Sequence, residues 1–419
     1  MYNDLLTEQV AAKPKNERRM IYTKTAYLDN ASTTKVDPAI AVTCLPYLTK
    51  FYGNPGSIHA LGKEAFDAIT KAREEIATSL NTIPDNIVFT GSGSESNTLA
   101  ILGLAGYLRS RGRTHVITTP YEHKSVLKAM DVLKQYGFTI TYCKLHDGIV
   151  DLEEFKSALR DDTGLVSIMH VNNETGSVNP IQKIGKICQS RGVIFHSDCV
   201  QSAGAIRLDA KAMCCDLMSV SGHKIHAPKG VGFLYTRMKE FMSPVICGGG
   251  QESGLRPGTE NVFGIVALGK AFKMANDSLA GNVVIPQYAI ACQYTVERLS
   301  KIDGFHMTVP YDRTHCGKVL SVRFDGIDAE TLSMMLNENN VYVSTGSACN
   351  TGSADPSYVL LACGLTPDEA RQTIRLSFSN STTNEEFEYG AKMIKECVEK
   401  LRLLNTINPT LNLDNEDRE

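Results

Sequence analysis

Residues 87–108 read IVFTGSGSESNTLAILGLAGYL. Ile87 to Thr90 is a short apolar strand, Gly91-Ser92-Gly93-Ser94 is a turn of small residues, and the spacing predicts a helix from there to about Leu108. Small residues ahead of a helix expose backbone N–H groups where the helix dipole favours an anion. The turn is therefore a candidate phosphate cradle at Gly93 and Ser94. It is not a Walker loop, which needs Gly-x-x-x-x-Gly-Lys-Ser/Thr, nor the dinucleotide pattern Gly-x-Gly-x-x-Gly. Taken alone, a plain helix cap explains it equally well.

Working outward, the pattern alternates. Upstream, Leu61, Ala65, Phe66, Ile69, Ala72, Ile76 and Leu80 fall at helical spacing. Downstream, apolar strands at 115–118, 139–143, 165–170, 193–196, 217–220 and 232–235 are interleaved with helical stretches at 125–135, 152–159 and 181–189. Such alternation predicts an α/β fold, with a large mainly parallel sheet domain covered by helices on both faces. This domain is expected over residues 23–276, with its first residues candidates for joining the next one. Residues 277–404, with helices at 287–299 and 385–403 and strands near 318–324 and 373–378, predict a smaller α+β domain. Residues 1–22 read as a polar extension and 405–419 as a polar tail.

The chain has 419 residues, enough for two or three domains and a sizeable core without a disulfide or metal staple. Its 43 basic and 46 acidic side chains leave a net charge of −3, which gives no support to nucleic-acid or membrane-surface binding. Twelve cysteines without a Cys-x-x-Cys pair or a signal-type N-terminus suit free thiols in a reducing compartment. No apolar run reaches the roughly 18 residues of a membrane span. The expected location is the cytoplasm. Lys13, Lys15, Arg18 and Arg19 keep a mitochondrial or related organelle open, against Asp4, Glu8 and Glu17.

In open α/β sheets ligands bind beyond the carboxyl ends of the strands. Those ends here deliver Tyr121-Glu122-His123-Lys124, Val171-Asn172-Asn173-Glu174, Ser197-Asp198-Cys199-Val200-Gln201 and Ser221-Gly222-His223-Lys224. Singly, such an Asp reads as a helix cap, such a Lys as solvated and such a His as a satisfied core group. Together at one edge they have a chemical meaning. A lysine forms a Schiff base with an aldehyde cofactor, and a carboxylate pairs with a protonated pyridine nitrogen. An imidazole stacks on the ring and moves protons.

The strings YLDNASTT (27–34), GNPGSIH (53–59), VFTGSGSESNTLAI (88–101), EHKSVL (122–127), HVNNETG (170–176), SGHKIHAPKGVG (221–232), GGGQESGLRPGTENV (248–262) and STGSACNTGSADPSYVL (344–360) occur in this order. With them the chain resembles the cysteine desulfurases of the NifS/IscS kind, class V aminotransferases with the fold-type I architecture of pyridoxal 5'-phosphate (PLP) dependent transferases. The resemblance runs from about Tyr27 to about Met393. It implies that Lys224 holds PLP covalently and that Asp198 pairs with the pyridinium nitrogen. Gln201 and Asn173 contact the ring hydroxyl, Asn173 also lying near the substrate. His123 stacks on the ring and serves in proton transfer, accepting the thiol proton. Gly93, Ser94, Ser221 and His223 bind the phosphate. Thr259 reaches the phosphate of a neighbouring subunit's cofactor, which implies a homodimer. Arg375 clamps the substrate carboxylate with its planar fork of donors.

Cys349 sits in a small, polar stretch, STGSACNTGS (344–353), which suits a loop better than a core. The resemblance makes it the nucleophile that takes sulfur from L-cysteine as a persulfide, leaving L-alanine. A sulfur acceptor or iron–sulfur scaffold protein is the implied partner, for iron–sulfur cluster assembly or tRNA thiolation. No resident metal is implied, and the Cys349 persulfide would meet a cluster only on a scaffold. Selenocysteine lyases, kynureninases and small-molecule transaminases share the cofactor site, and the cysteine loop separates the chain from them; a non-catalytic assembly protein could keep the fold, and the presence of Lys224, Asp198, His123 and Cys349 together speaks against it. Departures from the family pattern are Ser94 where Thr is common, Cys199 after Asp198, SFSNS at 377–381, and the two chain ends.

Overall fold

The computed structural model describes residues 24–279, 287–345 and 355–407. Thirteen strands matter for the site. The first, β1, is Ala26–Tyr27. Seven more build one sheet: β2 Ile87–Thr90, β3 His115–Thr118, β4 Thr139–Tyr142, β5 Thr163–Ser167, β6 Ile194–Asp198, β7 Leu217–Ser221 and β8 Gly232–Thr236. Their order is β2-β8-β7-β6-β5-β3-β4. Only β8 runs against the others, pairing antiparallel with both β2 and β7.

The sheet is covered on both faces. On β2, Ile87 and Phe89 join one buried cluster while Val88 joins another; on β8, Phe233 and Tyr235 divide from Leu234 in the same way. A strand buried on both faces has no polar side, which is why these segments read as continuous apolar runs.

Four helices fix the site's approach: α1 Ala60–Ser79, α2 Gly93–Leu102, α3 Lys124–Gln135 and α4 Val262–Asp277. The helix expected from the Gly91–Ser94 turn to Leu108 is in fact broken. It stops at Leu102, and a second helix covers Ala105–Ser110. The carbonyl of Gly103, which a continuous helix would use internally, accepts from the backbone N–H of Ser243 at 2.8 Å.

The C-terminal part forms a second, antiparallel sheet. Its strands are β9 Phe305–Met307, β10 Val319–Phe324, β12 Ser344–Thr345 and β13 Thr373–Ser377, in the order β9-β10-β13-β12. β11, Val341–Tyr342, pairs in parallel with β1. Ala26 and Leu28 are buried there with Val341, Ile374, Leu376 and Ile394. From β1, which lies against the second sheet, residues 29–34 then cross to the first. Among the described residues no helix is long and apolar enough to cross a membrane.

Candidate active site

The carboxyl ends of β2, β3, β5, β6 and β7 lie along one edge, and a cavity of about 360 Å³ opens there. Ser92, Gly93, Ser94, His123, Asn173, Asp198, Gln201, Ser221, His223, Lys224 and Arg375 line it. Every residue proposed from sequence for the cofactor or substrate is among them, with two exceptions. Thr259 is exposed in the loop before α4 and lies outside the cavity of its own chain. Cys349 lies outside the described residues.

The cradle is built by a cap and a glycine. Ser92 is extended, and its hydroxyl accepts from Glu95 N–H, so α2 begins at Gly93 with its first amides directed to the cavity edge. A Cβ on Gly93 would come within 2.6 Å of Val200 Cγ2 and 3.3 Å of Ser221 Cβ. Any larger residue there would force Val200 or the helix start to move.

Asp198 ends β6 rather than following it. Its Oδ1 accepts from Val200 N–H at 2.9 Å and its Oδ2 from Asn97 Nδ2 at 2.7 Å. Both bonds hold the carboxylate in place. His123 caps α3, and its Nδ1 sits 2.8 Å from Ser125 Oγ and accepts from Ser125 N–H at 3.2 Å. Burial lowers the pKa of His123; Asp198 opposes this, while Lys224 and Lys124 add to it. His223 is pushed down to about 4 by burial and then by Lys224, Lys229 and Lys318.

Lys224 Nζ donates to the carbonyls of Ala31 and Ser32 at 2.5 and 2.8 Å. Arg375, on β13, donates from Nη1 to Asn173 O at 3.1 Å and from Nη2 to Asp29 Oδ1 at 2.9 Å and Ser32 Oγ at 2.6 Å. Sequence reasoning gave no role to Asp29, Ala31, Ser32 or Asn97. The first three lie in the YLDNASTT string and Asn97 lies four residues after Gly93 on α2, which were the signals available.

The site has unfilled polar capacity. Asn173 Oδ1, Gln201 Oε1 and Arg375 Nε are buried with no hydrogen-bond partner among the described residues. Buried polar atoms cost free energy when unpaired, so atoms of this kind on a cavity wall point to a polar ligand. An anion cradle, an anchored carboxylate, a lysine and an imidazole on one cavity are the donor set that PLP requires. The residues present fit the group.

Comparisons with known proteins identify the family. The Aminotransferase class-V family matches residues 26–389. The cysteine desulfurase IscS of Neisseria meningitidis serogroup C is 40% identical over 385 residues, covering 91% of this chain and 94% of that protein. IscS of Methanosarcina thermophila is 38% identical over 388 residues, 92% and 95% of the two chains. Among solved structures, a NifS-like protein aligns with TM-score 0.83 and 35% identity, over 90% of this chain and 100% of that one. A structure of SspA in complex with cysteine aligns with TM-score 0.73 and 36% identity, over 86% and 100%. The fold and site define a class V aminotransferase, and within that family the chain belongs to the cysteine desulfurases.

Proposed function

We propose that the protein uses PLP to take sulfur from L-cysteine, releasing L-alanine and carrying the sulfur on Cys349 as a persulfide. The observation that carries this reading is the convergence of Lys224, Asp198, His123 and Arg375 on one cavity beside the Gly93 cradle.

Lys224 would hold the cofactor through Nζ, Asp198 would face its ring nitrogen, and Gly93, Ser94, Ser221 and His223 would take its phosphate. Gln201 and Asn173, each with an unpaired buried oxygen, would face its ring hydroxyl. When bound, PLP supplies an electron sink for the pair left at the substrate Cα. Arg375 orients L-cysteine by its carboxylate, which sets Cα toward Lys224 Nζ, and that amine takes the α-proton and later returns one. The thiolate of Cys349 attacks the substrate sulfur. The substrate Cβ–S bond breaks, a sulfur–sulfur bond forms, and the carbon fragment gains the proton given up by the thiol. The sum is L-cysteine plus Cys349 thiol going to L-alanine plus Cys349 persulfide.

Thr259, exposed in its own chain, fits a homodimer in which it completes the phosphate site of the other subunit. The persulfide then passes to an acceptor or iron–sulfur scaffold protein, in the cytoplasm.

A peptide mass map after brief exposure of the PLP-loaded protein to L-cysteine, without reductant, tests the reading. One added sulfur on the peptide carrying Cys349, with alanine in solution, is expected. Alanine with the sulfur elsewhere would displace Cys349, and no alanine at all would overturn the activity.

A further inference from the structure

A hydrogen-bond chain runs from Asp198 to the ring of His123 through the side chains of Asn97, which lines the cavity, and Ser125. Asn97 Nδ2 donates one proton to Asp198 Oδ2 at 2.7 Å and the other to Ser125 Oγ at 2.9 Å. Ser125 Oγ lies 2.8 Å from His123 Nδ1. Turning the Asn97 amide over would set its oxygen against the Asp198 carboxylate, two acceptors in contact, so the amide orientation is fixed by Asp198. With Asn97 donating to it, the Ser125 hydroxyl has its own proton left for His123 Nδ1. The backbone N–H of Ser125 donates to the same nitrogen at 3.2 Å. An imidazole nitrogen that accepts from two donors carries no proton of its own.

We propose that Asn97 and Ser125 are positioning residues that relay the charge of Asp198 into the choice of His123 tautomer, holding its proton on Nε2. Nε2 is the other nitrogen of a ring that lines the cavity. Neutral His123 therefore gives a hydrogen bond to the cavity instead of taking one. The groups acting on the ring are Asp198, Lys224, Lys124 and Ser125. On the proposed reaction, neutral His123 therefore meets the substrate as a hydrogen-bond donor at Nε2. A protonated Nε2 cannot take up the Cys349 thiol proton, the duty that the sequence reading gave His123. This consequence rests on the desulfurase reading, whereas the tautomer rests on the chain's own contacts.

The test is ring-nitrogen NMR of the PLP-loaded protein labelled with ¹⁵N-histidine, with the His123 signals identified by their loss in His123→Gln. The expected spectrum has Nε2 protonated and Nδ1 bare. Ser125→Ala, which keeps the backbone donor and loses the hydroxyl, is expected to lower the tautomer ratio roughly tenfold, and Ser125→Thr to restore it. A wild-type ring protonated at Nδ1, or an unchanged ratio in Ser125→Ala, would overturn the proposal. If the spectra are as expected and no alanine forms from L-cysteine, the tautomer stands and the reaction assignment fails.

Discussion

Asp29 and Arg375 form an ion pair at 2.9 Å where the chain crosses from the second sheet to the first. Asp29 is bridged to Ser377 on β13, and Ser32 adds a second acceptor for the same guanidinium nitrogen. Together they turn Arg375 so that Nη2 is spent on protein while Nε stays unpaired. The guanidinium is thus held in one orientation on the cavity wall by the protein's own contacts.

From this pair follows the first prediction. Arg375→Lys keeps the charge and loses the planar fork, and kcat/KM for L-cysteine should fall about 10- to 100-fold, mostly through KM. Asp29→Ala should act in the same direction and less strongly, since Ser32 and Asn173 still hold the arginine. Steady-state alanine production checks both.

The cradle gives a second. Gly93→Ala puts a methyl group 2.6 Å from Val200 Cγ2. Either Val200 or the start of α2 must shift, and the proposed phosphate cradle is expected to weaken. Cofactor retention on dialysis should drop, and Val200→Ala in the same chain should recover part of it. Absorbance of the bound cofactor reports the outcome.

Covalent attachment gives a third. Borohydride reduction of the loaded protein should fix the cofactor to the peptide carrying Lys224, and Lys224→Ala should abolish that mass shift and the turnover. Attachment to another lysine in the wild type would displace Lys224 from its role.

Glu122 gives a fourth, in stability. Burial raises its pKa to about 8, against hydrogen bonds from Met169 N–H and Thr119 Oγ1 that favour the carboxylate. The folded state therefore holds a proton that the unfolded chain has released above about 4.5. The stabilisation is complete below that value and is lost as pH rises through about 8. Between these limits the free energy of unfolding should fall by on the order of 2–4 kcal/mol. Glu122→Gln, neutral throughout, should flatten that slope in denaturant titrations of the cofactor-free protein.

Much of this was legible along the chain. Helix α1, strand β2 and the strand-end residues His123, Asn173, Asp198 and Lys224 announce themselves locally, because periodicity and turn chemistry act over a few residues. The break at Gly103 did not, since the N–H that ends the helix belongs to Ser243, far along the chain. Asn97 was quoted within a matching string and given no role, because its significance is two contacts made to other elements.

By itself, the sequence determined most of the strands and helices of the large sheet, that they alternate into a mainly parallel sheet, and which chemical groups stand at its carboxyl edge. Those follow from side-chain periodicity and from the fixed reach of a turn. Tertiary structure alone decided which groups meet: Arg375 with Asp29, Lys224 with the carbonyls of Ala31 and Ser32, and Asp198 with His123 through Asn97 and Ser125. Hydrogen bonds act over about 3 Å; the docking of β1 on the second sheet and the crossing to the first bring Asp29, Ala31 and Ser32 within that range, and the packing of α2 against α3 and β6 does so for Asn97.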